Sequence, residues 1–418
     1  MVTNTREVIV VGAGPAGLVA ALTLHSLGRQ VTILESMPAN RSRQGSRAIF
    51  LHNTTLDILD RICNGIGSEI SKHGIYWQTQ RTLYDGKEVY SKTYASTTSD
   101  VKPHFTSLPQ TEIEQMLLAR TLTNNIELIF DQTVIDVKSC EEDESGLVKV
   151  KIANSEVIWK AQYVIGADGA HSIVRKQIGV KMEGNRDDGW FIVVDVAEIE
   201  QQKNSLPILP RERIFHYAHP AVDGRNVLLV PFRGGWRIDL QCKNSDNPVE
   251  LSSKIGVKQW LSRVMPPAYA NHITWVSTYQ FLQLVADDFA HKTTRRVLLI
   301  GEAAHLFAPF GARGLNSGVA DAESAAIAIN TALSYFQKNG EAARRAIDTF
   351  VQVRRAAAMF NRFAAGEALS HLKPNNEMMV KQLEAAARAP TDKIASEWLE
   401  KAPYGPRTWP NNMLLSKY

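Results

Sequence analysis

Glycines at positions 12, 14 and 17, with an acid at 35, are the first residues whose spacing suggests chemistry. They sit in EVIVVGAGPAGLVAALTLHSLGRQVTILE, which reads as strand, tight turn, helix and strand. In G-x-G-x-x-G the first glycine permits the turn and the second lets a pyrophosphate approach backbone N–H groups. The third lets helix and strand pack closely. Glu35 ends the second strand, 18 residues past Gly17, where a carboxylate can accept hydrogen bonds from both hydroxyls of an adenosine ribose. The glycine pattern alone is weak; in this strand context, with this acid, it points to a dinucleotide.

A second constellation is RVLLIGEAAHLFAPFGARGLNSG, residues 296–318. Val297–Ile300 has the apolar character of a buried parallel strand, and Gly301-Glu302 follows at its carboxyl end, where open α/β sheets bind ligands. Pro309, Gly311, Gly314 and Gly318 then lead into a helical pattern from Val319 to Ser334. Such a turn can aim backbone N–H groups at an anion or an electron-rich ring. Between the two constellations lies a basic loop with Arg41, Arg43 and Arg47. It reads either as a solvated loop or as a clamp on phosphate or ribityl groups.

The elements that must position these residues follow from pattern. Tyr76–Tyr94 is rich in aromatic and β-branched residues around Asp85-Gly86, a hairpin signal. Gln110–Leu122 is a helix with Leu117 and Leu118 on its apolar side. Strands are expected at Ile126–Phe130, Thr133–Val137, Leu147–Ala153, Val157–Trp159 and Tyr163–Ile165, with an exposed turn at Glu141–Ser145. From Lys181 to about Ala286 the pattern is mostly β, with strands at Phe191–Val196, Arg213–Tyr217, Asn226–Phe232, Trp236–Gln241 and Thr274–Leu282. One helix, Val249–Val264, interrupts it. Ala320–His371 is helical, and a further helix spans Asn376–Arg388 before a Pro-rich end of unassigned structure.

Composition narrows the class. With 418 residues, 44% apolar and 22% charged, the chain can bury one large or two coupled cores. A net charge of only +4, without a basic stripe, argues against a nucleic-acid partner. Cys63, Cys140 and Cys242 are scattered, so neither a disulfide framework nor a metal site is indicated. A strand within the first ten residues and no run of 18 apolar residues argue against a signal peptide or an integral membrane segment. A cytoplasmic setting is the expectation.

Three separated motifs together resemble the single-component FAD-dependent aromatic hydroxylases, the class A monooxygenases of the p-hydroxybenzoate and phenol hydroxylase type. They are GAGPAG at 12–17, ADGAHSIVRKQIG at 167–179 and GEAAHLFAPFGARGLNSG at 301–318. The resemblance covers roughly residues 1–372. It implies an α/β fold: a Rossmann-like FAD-binding domain (1–75, 103–180 and 285–372), an inserted mostly-β substrate domain (76–102 and 181–284) and a C-terminal helical tail (373–418). By the same resemblance Gly12, Gly14, Gly17 and Glu35 hold the adenosine diphosphate. Arg47 and Gln110 touch FAD, Val134 offers backbone to the adenine, and Asp168 serves FAD and the nicotinamide donor. Glu302 stands at a ribityl-binding acid, and Gly314, Leu315 and Asn316 face the pyrimidine end of the flavin. Two departures are visible: Glu302 replaces Asp, and Ala312 replaces a glycine, which is tolerable if its φ is negative.

The implied activity uses NAD(P)H and O2 to hydroxylate a phenolic small molecule through a C4a-hydroperoxyflavin. No metal is needed. A base or proton relay is expected on the inserted sheet, with His216, Tyr217 and Tyr279 as candidates and Trp236 behind them; His305 reads as a structural hydrogen-bonder. The rival readings are a flavin epoxidase or reductase acting on an isoprenoid or polyketide, and a non-catalytic escort that borrows the fold. Substrate identity, NADH against NADPH, and a homodimer against other assemblies are left open.

Overall fold

The computed structural model describes residues 3–42, 44–94, 102–103, 105–139, 146–199, 209–335 and 340–401. Arg43, the expected turn at Glu141–Ser145 and the Pro-rich end lie outside these residues. Two sheets organise what is described.

The first sheet has seven strands. Glu127–Ile129, Val31–Leu34, Thr3–Val11 and Ile158–Gly166 run parallel in that order. Val8, Ile9 and Val10 at its centre are wholly buried, as a parallel strand covered on both faces requires. The two short strands expected around residues 157–165 are one nine-residue strand. Its first half pairs antiparallel with Val148–Ile152, which in turn pairs with Val134–Lys138. Its second half pairs parallel with Val297–Leu299. One strand edge shared by two partners presents two hydrophobic patterns, and pattern alone divides it.

Helix Pro15–Ser26 packs on this sheet, helix Arg313–Tyr335 packs on that helix, and the 33-residue helix Gly340–Leu372 packs on the latter and on strand Ile273–Ala286. Helix Arg313–Tyr335 begins six residues before the expected start, so Gly314, Leu315 and Asn316 form its first turn. Glycine weakens a helix, but Gly318 lets it approach Gly301, at 3.5 Å from the position a Cβ would take. Helices Asn53–Ile62 and Ile66–His73 carry no expectation from the sequence, nor does Lys393–Lys401.

The second sheet has eight strands in the order His305–Leu306, Ile273–Ala286, Met182–Ala197, Gly235–Gln241, Arg225–Phe232, Arg213–His219, Thr79–Tyr84 and Lys87–Thr93. The hairpin turns at Asp85 (φ 48°) and Gly86 (φ 76°), the left-handed pair that an Asp-Gly turn supplies. One face of the sheet packs Ile192, Val194, Ile238 and Leu240 under helix Lys254–Val264. The expected helix Val249–Val264 is split: Asn247 caps Pro248–Leu251, and Ser253 caps the longer piece. Alternation sends Phe191, Val193, Asp195, Arg237 and Asp239 to the opposite face, which turns toward the first sheet's helices. The architecture is thus α/β: a largely parallel sheet covered by helices, with an inserted β-rich domain and C-terminal helices. No described helix is long and apolar enough to cross a membrane.

Candidate functional site

The glycine turn is built by close approach. A Cβ on Gly12 (φ 102°) would lie 2.6 Å from the Ala167 carbonyl oxygen, and one on Gly17 would overlap the Gly12 carbonyl. Gly14 precedes helix Pro15–Ser26, whose first turn carries neither a side-chain cap nor an acid. Its leading N–H groups and dipole are therefore open to an anion. Glu35 is buried, and its carboxylate accepts the Ala13 N–H at 2.6 Å and the Met37 N–H at 2.9 Å. Arg41 spans the same turn: it donates to the Ala13 carbonyl at 2.8 Å and lies 3.7 Å from Glu35. Its buried Nη1 has no hydrogen-bond acceptor among the described residues. A buried guanidinium N–H without an acceptor, beside a bare helix N-terminus, fits a diphosphate. Val134 begins the strand after this corner, where the Gln132 N–H reaches the Glu35 carbonyl at 2.8 Å.

Asp168 lies against the glycine turn by its backbone, 3.2 Å from a Gly12 Cβ position. Its carboxylate is occupied within its own segment. It accepts the Ser172 hydroxyl at 2.5 Å and the N–H groups of Ile173 and Val174 at 2.7 and 3.0 Å. Arg175, which sequence reasoning passed over, ties the second motif to the third by donating to the carbonyls of Ala170 and Ala303, each at 2.9 Å.

The third motif brings its residues to the same place. Gly301 has φ 58° and lies against Ala16 of the first helix, 3.1 Å from its Cβ position. Glu302 is exposed, with no side-chain partner among the described residues. Ala312 adopts φ 54°, so the condition for tolerating it, a negative φ, is not met; alanine here occupies a left-handed conformation that glycine holds without strain. Space around a Cβ on Gly314 is open within 4 Å. Leu315 packs on the core, whereas the Asn316 side chain is spent internally. It accepts from the His52 N–H at 3.0 Å and the Thr55 hydroxyl at 2.6 Å, and donates to the carbonyls of Phe50 and Ala312. Only backbone at this helix start is left for a ligand. Behind it His305 hydrogen-bonds Asp321 at 2.6 Å, and Arg354 bonds the other oxygen at 2.7 Å. Burial alone would raise the Asp321 pKa, but Arg354 and His305 outweigh it and hold the carboxyl below its usual value.

Across from the third motif, Phe191 and Phe281 of the second sheet meet Phe310 at ring distances of 5.8 and 5.4 Å. Phe310 also touches the cluster of Phe215, Tyr217 and Leu372. These residues form an aromatic seam between the sheet and the Gly314 turn. Tyr279 lies on this face, beside Phe191 in register. Tyr217 shares the face, but its hydroxyl donates to the Leu399 carbonyl at 3.2 Å. His216 is not brought to the seam. It stands in register with Val227 and Leu240, whose side chains face helix Lys254–Val264, and burial lowers its pKa to about 4. Trp236 lies on that far face as well.

Arg47 and Gln110 are neighbours. The Gln110 N–H donates to the Ser46 carbonyl at 2.9 Å, and its side-chain oxygen accepts from the Ala48 N–H at 3.4 Å. Ser46 in turn bonds Asp195 of the second sheet through its N–H (2.6 Å) and its hydroxyl (2.8 Å). Burial raises the Asp195 pKa, with the two Ser46 hydrogen bonds pulling the other way. Nothing in local pattern marks Asp195; only its place on the inner face of the strand does.

A model of the FAD binding domain family matches residues 5–361. The chain is 26% identical over 329 residues to a phenol 2-monooxygenase of Aspergillus fumigatus, covering 75% of this chain and 53% of that protein. It is 24% identical to a 3-(3-hydroxy-phenyl)propionate/3-hydroxycinnamic acid hydroxylase of Escherichia coli, covering 85% and 60%. The chain thus spans a little over half the length of these two relatives. A para-nitrophenol 4-monooxygenase of a Pseudomonas strain is 27% identical, with 82% and 81% covered. Among solved structures, a p-nitrophenol 4-monooxygenase of Pseudomonas putida superimposes with a TM-score of 0.74 at 23% identity, covering 97% of this chain and 100% of that one. At that identity the likeness speaks for the fold.

Proposed function

This chain belongs to the FAD binding domain family, and from that premise we propose that it is an FAD-dependent monooxygenase that uses NAD(P)H and O2 to hydroxylate a small phenolic molecule. The observation that carries the reading is the meeting of the three motifs at the starts of two helices, facing an aromatic seam. Relatives named as acting on phenols and nitrophenols support the substrate class.

When bound, FAD supplies hydride acceptance and oxygen activation. The protein binds, orients and excludes water. The open N–H groups after Gly14 and the Arg41 guanidinium would neutralise the diphosphate, with Glu35 toward the ribose. The start of helix Arg313–Tyr335 would favour negative charge at the pyrimidine end of the ring, an electrostatic role for backbone at Gly314, Leu315 and Asn316. Glu302, exposed beside the Gly301 turn, is free to reach a ribityl hydroxyl. Phe191, Phe281 and Phe310 offer edges and faces to a flat ring and keep water out. Of the three proton-relay candidates, Tyr279 is the one that stands on this face without the backbone hydrogen bond that engages Tyr217. On this reading residues 1–75, 103–180 and 285–372 serve the cofactor and 76–102 with 181–284 serve the substrate.

The test is purification of a yellow protein, followed by NAD(P)H consumption and product mass across a panel of phenols. Effector-stimulated oxidation with one oxygen atom gained by the product supports the proposal. Bound FAD with no oxygen consumption under any donor would defeat it. A product epoxidised on an isoprenoid or polyketide would move the assignment to that branch.

A further inference from the structure

Three neighbours in a row across the inserted sheet grip three consecutive residues of the basic loop. Trp275, Asp195 and Arg237 are cross-strand partners on adjacent strands, Asp195 lying between the other two in register. Gly45 lies on Trp275 so closely that a Cβ would overlap the indole ring, and its φ is 79°. Ser46 gives both its N–H and its hydroxyl to Asp195, at 2.6 and 2.8 Å. The Arg47 carbonyl accepts from Arg237, whose own Nε is held by Asp239 at 2.8 Å. Arg47 itself has φ 53°, a left-handed conformation an arginine adopts only when its surroundings impose it.

We propose that Trp275, Asp195 and Arg237 form a clasp in which Asp195 is the positioning residue that presents Arg47 to FAD. The inference rests on the reading of Arg47 as a cofactor contact. Asp195 is 2% exposed, and a buried carboxylate is costly unless its hydrogen bonds are made. Here the two Ser46 donors make them. The opposite side of the loop is fixed by Gln110, which bonds the Ser46 carbonyl and the Ala48 N–H. The loop is thereby strapped between the helix that opens at Gln110 and the inserted sheet, and the clasp sets where the Arg47 backbone turns. An apolar side chain at 195 frees Ser46, relaxes the left-handed turn and withdraws Arg47 from the cofactor.

Equilibrium titration of apoprotein with FAD, together with the FAD dissociation rate, tests this without reference to turnover. Asp195→Ala should weaken FAD on the order of tenfold or more, from hydrogen bonds to a charged acceptor. Asp195→Asn should stay near the parent, because its amide oxygen can accept the Ser46 N–H while its NH2 donates to the hydroxyl. Gly45→Ala should weaken FAD in the same direction by lifting the loop off Trp275, and carries the test if Asp195→Ala fails to fold. Val194→Ala, on the other face of the same strand, should lower stability and leave FAD affinity in place. Unchanged affinity in Asp195→Ala and Gly45→Ala, with the parent binding FAD, overturns the clasp alone. An equal loss in Asp195→Asn and Val194→Ala overturns it too, since that pattern is general destabilisation. A parent without FAD affinity overturns the functional reading beneath it.

Discussion

At the scale of single residues, the structure separates side chains that are free to act from those already engaged. Glu302 is exposed beside the Gly301 turn, without a side-chain partner among the described residues. Glu302→Ala should therefore cost roughly 1.5–3 kcal/mol of FAD binding, while Glu302→Asp should keep nearly all of it. FAD titration of the two apoproteins checks this, and equal affinity of parent and Ala variant removes Glu302 from the cofactor site. Tyr217 is the contrasting case, with its hydroxyl committed to the Leu399 carbonyl. Tyr217→Phe is expected to lose about 0.5–1.5 kcal/mol of stability and to leave turnover of a competent substrate intact. Denaturant midpoints and initial rates read the two effects separately. Lost turnover at unchanged stability would restore a proton-handling role to Tyr217.

At the scale of elements, two histidines report on how strands and helices are packed. His216 lies under the helix-covered face of the inserted sheet, and His371 sits in the last turn of the long helix between Tyr217 and Trp398. Burial pushes both down to about 4 from an ordinary 6.5, with His219 and Lys381 adding like-charge repulsion. Between pH 6.5 and 4 the unfolded chain binds protons at these positions that the folded chain does not. Stability should then fall as pH drops through that window, and the contribution should level off below about 4. Urea unfolding as a function of pH checks the slope, which should flatten in a His216→Leu, His371→Leu double variant. An unaltered slope would mean that both rings reach solvent in the folded protein.

For the whole molecule, the two sheets share more than a chain. Val285 and Ala286, at the end of the second sheet's long strand, belong to the core of the first, and Phe307 packs on that core and on the seam cluster of Phe191 and Phe281. Arg355 reaches the Ala286 carbonyl, and the loop at 45–48 is strapped to both halves. One cooperative transition is expected. FAD at 100 times its dissociation constant should raise the unfolding free energy by about 2.7 kcal/mol. Calorimetry with and without FAD tests this. Two transitions, with the cofactor moving only one, would show that the inserted sheet unfolds on its own.

The glycine fingerprint, Glu35, the hairpin at Asp85-Gly86 and the helix Asn376–Arg388 are legible in the amino-acid sequence because each depends on local rules of turn chemistry and periodicity. Tight turns demand glycine or aspartate wherever they occur, and a buried parallel strand is apolar whatever surrounds it. The helix that opens at Arg313 starts six residues before its pattern predicts; of the two glycines that weaken it locally, Gly318 is accounted for only by Gly301 and Ala16 across the interface, while Gly314 faces open space. The division of 158–166 between two partners, the satisfied side chain of Asn316, the far-side placement of His216 and the positive φ of Ala312 are equally non-local. The row of Trp275, Asp195 and Arg237 is the clearest instance. Its members are far apart in the chain, and strand register alone makes them neighbours. Sequence alone determined the chemistry the motifs can support; tertiary structure decided which side chains remain free to perform it, since a donor hydrogen, or an acceptor whose lone pairs are all filled, once bonded across the fold cannot also serve a ligand.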